Sequence, residues 1–149
     1  MHWTSQSPQE TLEIAEKIIN SSSSPWSFLL EGDLGAGKTQ LSKGFGKYFG
    51  VPVEEIQSPT FAYLSVYEGK HPETYEIVQF FHFDLYRLEK EHEADDMIVQ
   101  YQEMFQGNCV VVEWSERLSE GLRSRLLSHG FKRVQCIEVS EKIREFILL

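Results

Sequence analysis

The chain has no run near the roughly 20 consecutive apolar residues that a membrane-spanning helix needs, so none is expected. It is also poor in cysteine. Cys109 and Cys136 are the only two, and both lie inside apolar, strand-like runs. That excludes a disulfide framework and reads as two buried free thiols. The N-terminal Met1-His2-Trp3-Thr4-Ser5 lacks the basic-then-apolar order of a secretory leader. With the free thiols, this points to a cytoplasmic protein. Positive charge is scarce: 14 Lys and Arg stand against 23 Asp and Glu, for a net charge of −9. Such a chain has no surplus of basic residues with which to neutralise nucleic-acid phosphates. Any work on nucleic acid therefore passes through a partner. No internal repeat is visible, and the only low-complexity stretch is Ser21-Ser22-Ser23-Ser24. The length of 149 residues suits one domain, 1–149, with one sizeable core.

What is present is a loop. Gly32-Asp33-Leu34-Gly35-Ala36-Gly37-Lys38-Thr39 fits G-x-x-x-x-G-K-[ST]. Its glycines let the backbone turn tightly and aim N–H groups inward, where they cradle phosphate oxygens. Lys38 then reaches the β- and γ-phosphates, and Thr39 offers a hydroxyl to Mg²⁺. Gln40 follows directly. The flanks have the expected character. Trp26 to Glu31 reads as a buried strand and Lys38 to Tyr48 as a helix, whose N-terminal end favours anions. This strand–loop–helix setting is that of a P-loop.

Elsewhere, Ser7-Pro8-Gln9-Glu10 reads as a helix start, with Ser7 as the cap and Leu12, Ala15, Ile18 and Ile19 as the apolar face. Phe61 to Tyr67 and Ile77 to Asp84 predict a hairpin, with Gly69 and Pro72 in its turn. Glu89 to Phe105 predicts a charged helix, and Cys109 to Glu113 a strand buried on both faces. Residues 115–128 read as a loop with a short helix, and 132–149 as a closing hairpin. The pattern predicts an α/β, P-loop NTPase-like three-layer sandwich: a mixed sheet with a parallel centre and antiparallel hairpins.

Two acids stand at strand ends. Glu113 follows Val110-Val111-Val112, the form of a metal-linked acid, and Asp84 follows Phe80-Phe81-His82-Phe83. With Thr39, they are the candidate metal residues. Thr60, after the stiff Pro59, is a candidate switch hydroxyl. Trp114 beside Glu113 reads as core or interface, and His82 as a hydrogen-bonded sheet residue. His92 and Asp95 read as a solvated helix face. A small-molecule kinase would place arginines over the transferring phosphate, and no Arg-rich lid stands out. A small GTPase needs Asn-Lys-x-Asp, which is absent. A nucleotide-binding module without turnover stays open.

Four motifs together resemble the TsaE (YjeE) family of small bacterial P-loop ATPases. They are the Gly32–Thr39 loop, Ser58-Pro59-Thr60-Phe61, His82-Phe83-Asp84-Leu85-Tyr86-Arg87-Leu88 and Val112-Glu113-Trp114-Ser115-Glu116. They cover roughly residues 7–118. The resemblance implies an ATP-hydrolysing subunit, dependent on Mg²⁺, that works with the TsaB and TsaD partners. That assembly makes threonylcarbamoyladenosine next to the anticodon of tRNA. The subunit itself is not the transferase, and tRNA is held only indirectly. The resemblance also implies that Lys38 and Thr39 hold phosphate and Mg²⁺, that Glu113 is the metal-linked acid, and that Asp84 is the acid after His-Phe. It makes Thr60 the switch-like threonine and Trp114 a tryptophan tied to activity. Ser7 and Arg144 fall where the family holds adenine. The chain departs from the family pattern at Gln40, where a second Thr is frequent, and at Glu91-His92-Glu93-Ala94-Asp95-Asp96.

Overall fold

The computed structural model describes residues 1–59 and 61–149. Thr60, the candidate switch hydroxyl, lies outside the described residues. One seven-stranded mixed sheet forms the middle layer. Its strands are β1 (His2–Ser5), β2 (Trp26–Glu31), β3 (Leu64–Lys70), β4 (Ile77–Asp84), β5 (Cys109–Glu113), β6 (Lys132–Glu138) and β7 (Arg144–Leu148). Their spatial order is β1-β7-β6-β2-β5-β4-β3. The central four, β6-β2-β5-β4, run parallel. Antiparallel β3 closes one edge, and β7 with β1 closes the other.

Alternation along the central strands makes the layers. In β2, Phe28 and Leu30 pack with one apolar cluster, while Leu29 packs with another. Cys109 and Val111 of β5 join the first cluster, and Val110 and Val112 the second. This period of two explains why β5 reads as an unbroken apolar run: both of its faces are covered. Helices α1 (Pro8–Asn20) and α2 (Lys38–Tyr48) supply the first cluster. Helices α3 (Glu91–Val99) and α4 (Glu120–Ser128) supply the second. Ser7 caps α1 as expected, its Oγ accepting the Glu10 N–H at 3.1 Å.

Several local expectations shift. The predicted strand over Phe61–Tyr67 moves to β3, and Gly69 falls inside it. A Cβ at Gly69 would stand 2.2 Å from the Phe49 carbonyl oxygen, and Lys70 N–H donates to that same oxygen at 2.7 Å. Gly69 therefore serves a close backbone approach instead of a turn. The predicted helix over 89–105 is α3 followed by a 3₁₀ turn at Gln102–Met104. Asp95 is no solvated-face residue, because its carboxylate accepts the Ser119 N–H at 2.9 Å just before α4. Strand β1 had no local signal. It is four residues long, and its partner lies at the far end of the chain.

Candidate functional site

The loop over 32–37 leaves the carboxyl end of β2 and runs into α2. That is where ligands sit in parallel sheets. Its glycines are fixed by geometry. Gly32 has φ +145°, and a Cβ there would meet the Cys136 carbonyl oxygen at 2.2 Å. Gly37, at φ +97°, is the left-handed residue that precedes α2. The first bond closing onto α2 runs from Leu41 N–H to the Gly37 carbonyl at 2.9 Å. The N–H groups of Lys38, Thr39 and Gln40 thus have no acceptor within the helix. Gly32→Ala is expected to lose about 3 kcal/mol of stability, since overpacking and backbone strain act together. A shifted urea midpoint would show it, and a wild-type midpoint would refute the close approach.

A cavity of about 860 Å³ opens over this loop. It gathers Leu34, Gly35, Ala36, Gly37, Lys38, Thr39 and Gln40 with Ser7, Asp84, Glu113, Trp114 and Arg144. Gly32 and Asp33 do not line it. They lie behind it, where their carbonyls accept from the Lys38 ammonium, Asp33 at 2.8 Å. Lys38 is only 4% exposed. Its Nζ also sits 4.0 Å from the centroid of the Trp114 ring. Burial pushes its pKa below the ordinary lysine value, while Glu116 and other nearby acids pull the other way.

Glu113 is 2% exposed and faces α2. Thr39 Oγ1 donates to its Oε1 at 2.8 Å. Its Oε2 meets Ser42 Oγ at 3.0 Å and His82 Nε2. Asp84 pairs in register with Glu113 across β4 and β5. Its Oδ1 accepts the Tyr86 N–H at 3.0 Å, and its Oδ2 accepts from Ser58. Trp114 adopts the left-handed conformation at φ +60°, sparsely populated for a bulky residue. Tyr86 packs against its ring at 4.8 Å, and the Arg117 guanidinium lies 5.4 Å from it. Arg144 ties the β6–β7 turn to the loop, donating to the Gly35 carbonyl at 2.8 Å and to Ser140 at 2.7 Å.

The sequence-predicted residues therefore converge, apart from the two loop residues behind the cavity and Thr60, which is not described. Ser42 and Arg117 stand in no sequence motif, and Ser58 and Glu116 stand in motifs without a role assigned to them. Glu116 accepts the Gly32 N–H at 3.0 Å and so pins the loop from below. Helical spacing holds the signal for Ser42, which lies three residues after Thr39 on the same face.

The architecture and this loop define a three-layer α/β protein built around a strand–glycine loop–helix unit. The family model for "Threonylcarbamoyl adenosine biosynthesis protein TsaE" matches residues 5–146. The chain belongs to the TsaE family. It is 35% identical over 134 residues to the tRNA threonylcarbamoyladenosine biosynthesis protein TsaE of Bacillus subtilis (strain 168). That match covers 89% of this chain and 78% of the relative. The TsaE of Rickettsia conorii is also 35% identical, over 85% of this chain and 67% of its own length. The crystal structure of Bacillus subtilis YdiB shares the fold, with a TM-score of 0.54 at 24% identity. That likeness spans 99% of this chain and 83% of YdiB. Family membership places the chain in tRNA threonylcarbamoyladenosine biosynthesis. No described helix is long and apolar enough to cross a membrane.

Proposed function

We propose that this chain is the ATP-binding and ATP-hydrolysing subunit of that modification, a cytoplasmic P-loop ATPase that serves TsaB and TsaD partners. The observation that carries this reading is the convergence of Lys38, Thr39 and Glu113 in the lining of one cavity, beside Gly35 and Gly37. The residues fit the nucleotide. The cavity is of ligand-binding size. Three N–H groups at the start of α2 and the buried Lys38 ammonium suit a triphosphate. The residues fit Mg²⁺ as well. Among the described residues no cluster of three or more His, Cys, Asp or Glu forms a closed metal cage. One hydroxyl beside one carboxylate suits a cation that keeps water and takes its other oxygens from phosphates. When bound, Mg²⁺ neutralises charge on those phosphate oxygens.

Each residue then has a task. Lys38 binds the outer phosphates and stabilises the charge that develops there. Thr39 and Glu113 hold the metal region, with Asp84 beside it on the neighbouring strand. Trp114 covers Lys38 and keeps bulk water from the ammonium. Thr60 is assigned the switch role by its family position. Ser7 and Arg144 flank the adenine end, where Ser7 also caps α1 and Arg144 also holds the loop. Without Asn-Lys-x-Asp, the base is adenine and not guanine. The net charge of −9 supports contact with tRNA only through the partners.

Reconstitution tests this. Threonylcarbamoyladenosine formation by TsaB and TsaD is measured with and without this chain and ATP. Formation that requires both is the expected result. Formation indifferent to the chain would favour a kinase or a nucleotide-binding module.

A further inference from the structure

The two oxygens of Glu113 are not equivalent. Oε1 faces Thr39. Oε2 has two partners, Ser42 Oγ from α2 and His82 Nε2 from β4. Both are fully buried, and Glu113 itself is 2% exposed. His82 stands on the same face of β4 as Asp84, two residues earlier, and opposite Val111 of β5. Phe80 stacks on its ring, with centroids 5.9 Å apart and planes 13° from parallel. That fixes the ring plane. Its Nδ1 is buried and has no hydrogen-bond partner among the described residues. A proton on Nδ1 would be an orphaned buried donor. The proton therefore sits on Nε2, where it is donated to the carboxylate. Ser42 Oγ lies within hydrogen-bond distance of both the Lys38 carbonyl and Oε2. It has one proton, and the charged oxygen is the stronger acceptor.

We infer that His82 and Ser42 are positioning residues that saturate Oε2, so that Glu113 turns a single oxygen, Oε1, toward Thr39 and the metal. This rests on the Mg²⁺–nucleotide reading of the cavity and adds a residue pair to it. Carboxylates that hold a metal are commonly oriented by such outer partners. Here the partners come from two elements, a helix and a strand, which also pins α2 against β4 and β5 at the height of the site. Without the pair, Glu113 rotates among orientations and the cation loses its preformed oxygen. Phosphate contacts through the loop and Lys38 are untouched.

The test is equilibrium binding of a fluorescent ATP analogue to the full chain, with Mg²⁺ and with a chelator. His82→Phe keeps the ring stacking and removes the donor. His82→Gln offers an amide N–H toward the same oxygen. In His82→Phe the gain in affinity conferred by Mg²⁺ is expected to fall about tenfold, with metal-free affinity changed by less than about threefold. His82→Gln is expected to recover most of that gain, and Ser42→Ala to lose part of it. An unchanged Mg²⁺ gain in folded His82→Phe overturns the inference. So does a His82→Gln variant as impaired as His82→Phe. If His82→Phe does not fold, Ser42→Ala decides, and a full Mg²⁺ gain there overturns it. Wild-type binding indifferent to both Mg²⁺ and Lys38→Ala overturns the reading of the cavity itself, which separates the two failures.

Discussion

Lys38→Ala is expected to lower ATP turnover about 100-fold or more and to weaken ATP binding, by removal of a preorganised charge at the phosphates. The structure says why the effect is large. The ammonium is almost wholly buried, and its near partners are two carbonyl oxygens and the face of Trp114. None of these carries a full negative charge. Burial lowers its pKa, with only partial relief from Glu116, Cys136, Glu113 and Asp33. A cation held this way gains strongly from an anion brought beside it in the cavity that Lys38 lines. Alanine removes that attraction and leaves the carbonyls of Gly32 and Asp33 with one partner fewer, at about 1 kcal/mol each. The fold survives, since Lys38 begins α2 and alanine is the strongest helix former. Arginine is no substitute, because its planar fork does not reproduce a compact ammonium between two carbonyls. Calorimetric titration of ATP, with a melting curve beside it, checks the expectation. Undiminished Mg²⁺-dependent hydrolysis in the folded variant would overturn the P-loop assignment.

Much of this site was legible because its parts carry local signals. The Gly32–Thr39 loop has fixed spacing, and Glu113 ends a fully apolar strand whose character follows from two covered faces. The parallel centre followed from strands alternating with helices. What escaped was relational. Its place in a strand-like run marks His82 as a hydrogen-bonded sheet residue, and it is one. Nothing local says that its partner is Glu113, which becomes a neighbour only when β4 pairs with β5. Ser42 looks like an ordinary polar residue of an amphipathic helix until α2 docks over that pair. Strand β1 is set by its pairing with β7. Gly69 carries a genuine signal whose cause the sequence alone does not resolve. Glycine marks turns and close approaches alike, and only the position of the Phe49 carbonyl distinguishes them.

Glu113→Gln is expected to cut Mg²⁺-dependent turnover about 100-fold while metal-free ATP affinity stays within about threefold, because an amide loses the charge the metal needs and leaves the phosphate contacts intact. Alanine at this position is the simpler substitution, and the structure argues against it. Glu113 accepts from Thr39, Ser42 and His82 in a nearly water-free setting. Truncation would take the acceptor from His82 and Thr39, at about 1–3 kcal/mol for each donor that stays buried, while Ser42 keeps the Lys38 carbonyl, so lost activity would merge with lost stability. Glutamine keeps the volume and one carbonyl oxygen. Its amide nitrogen must face a donor on one side, which is expected to lower stability by about 1–3 kcal/mol without unfolding the chain. A modest drop in urea midpoint, a retained metal-free affinity and a collapsed Mg²⁺-dependent rate thus belong together as one signature. Full Mg²⁺-dependent turnover in Glu113→Gln would remove this residue from the metal region. It would leave Asp84, which pairs with it in register on the neighbouring strand, as the acid to which the same measurements then apply.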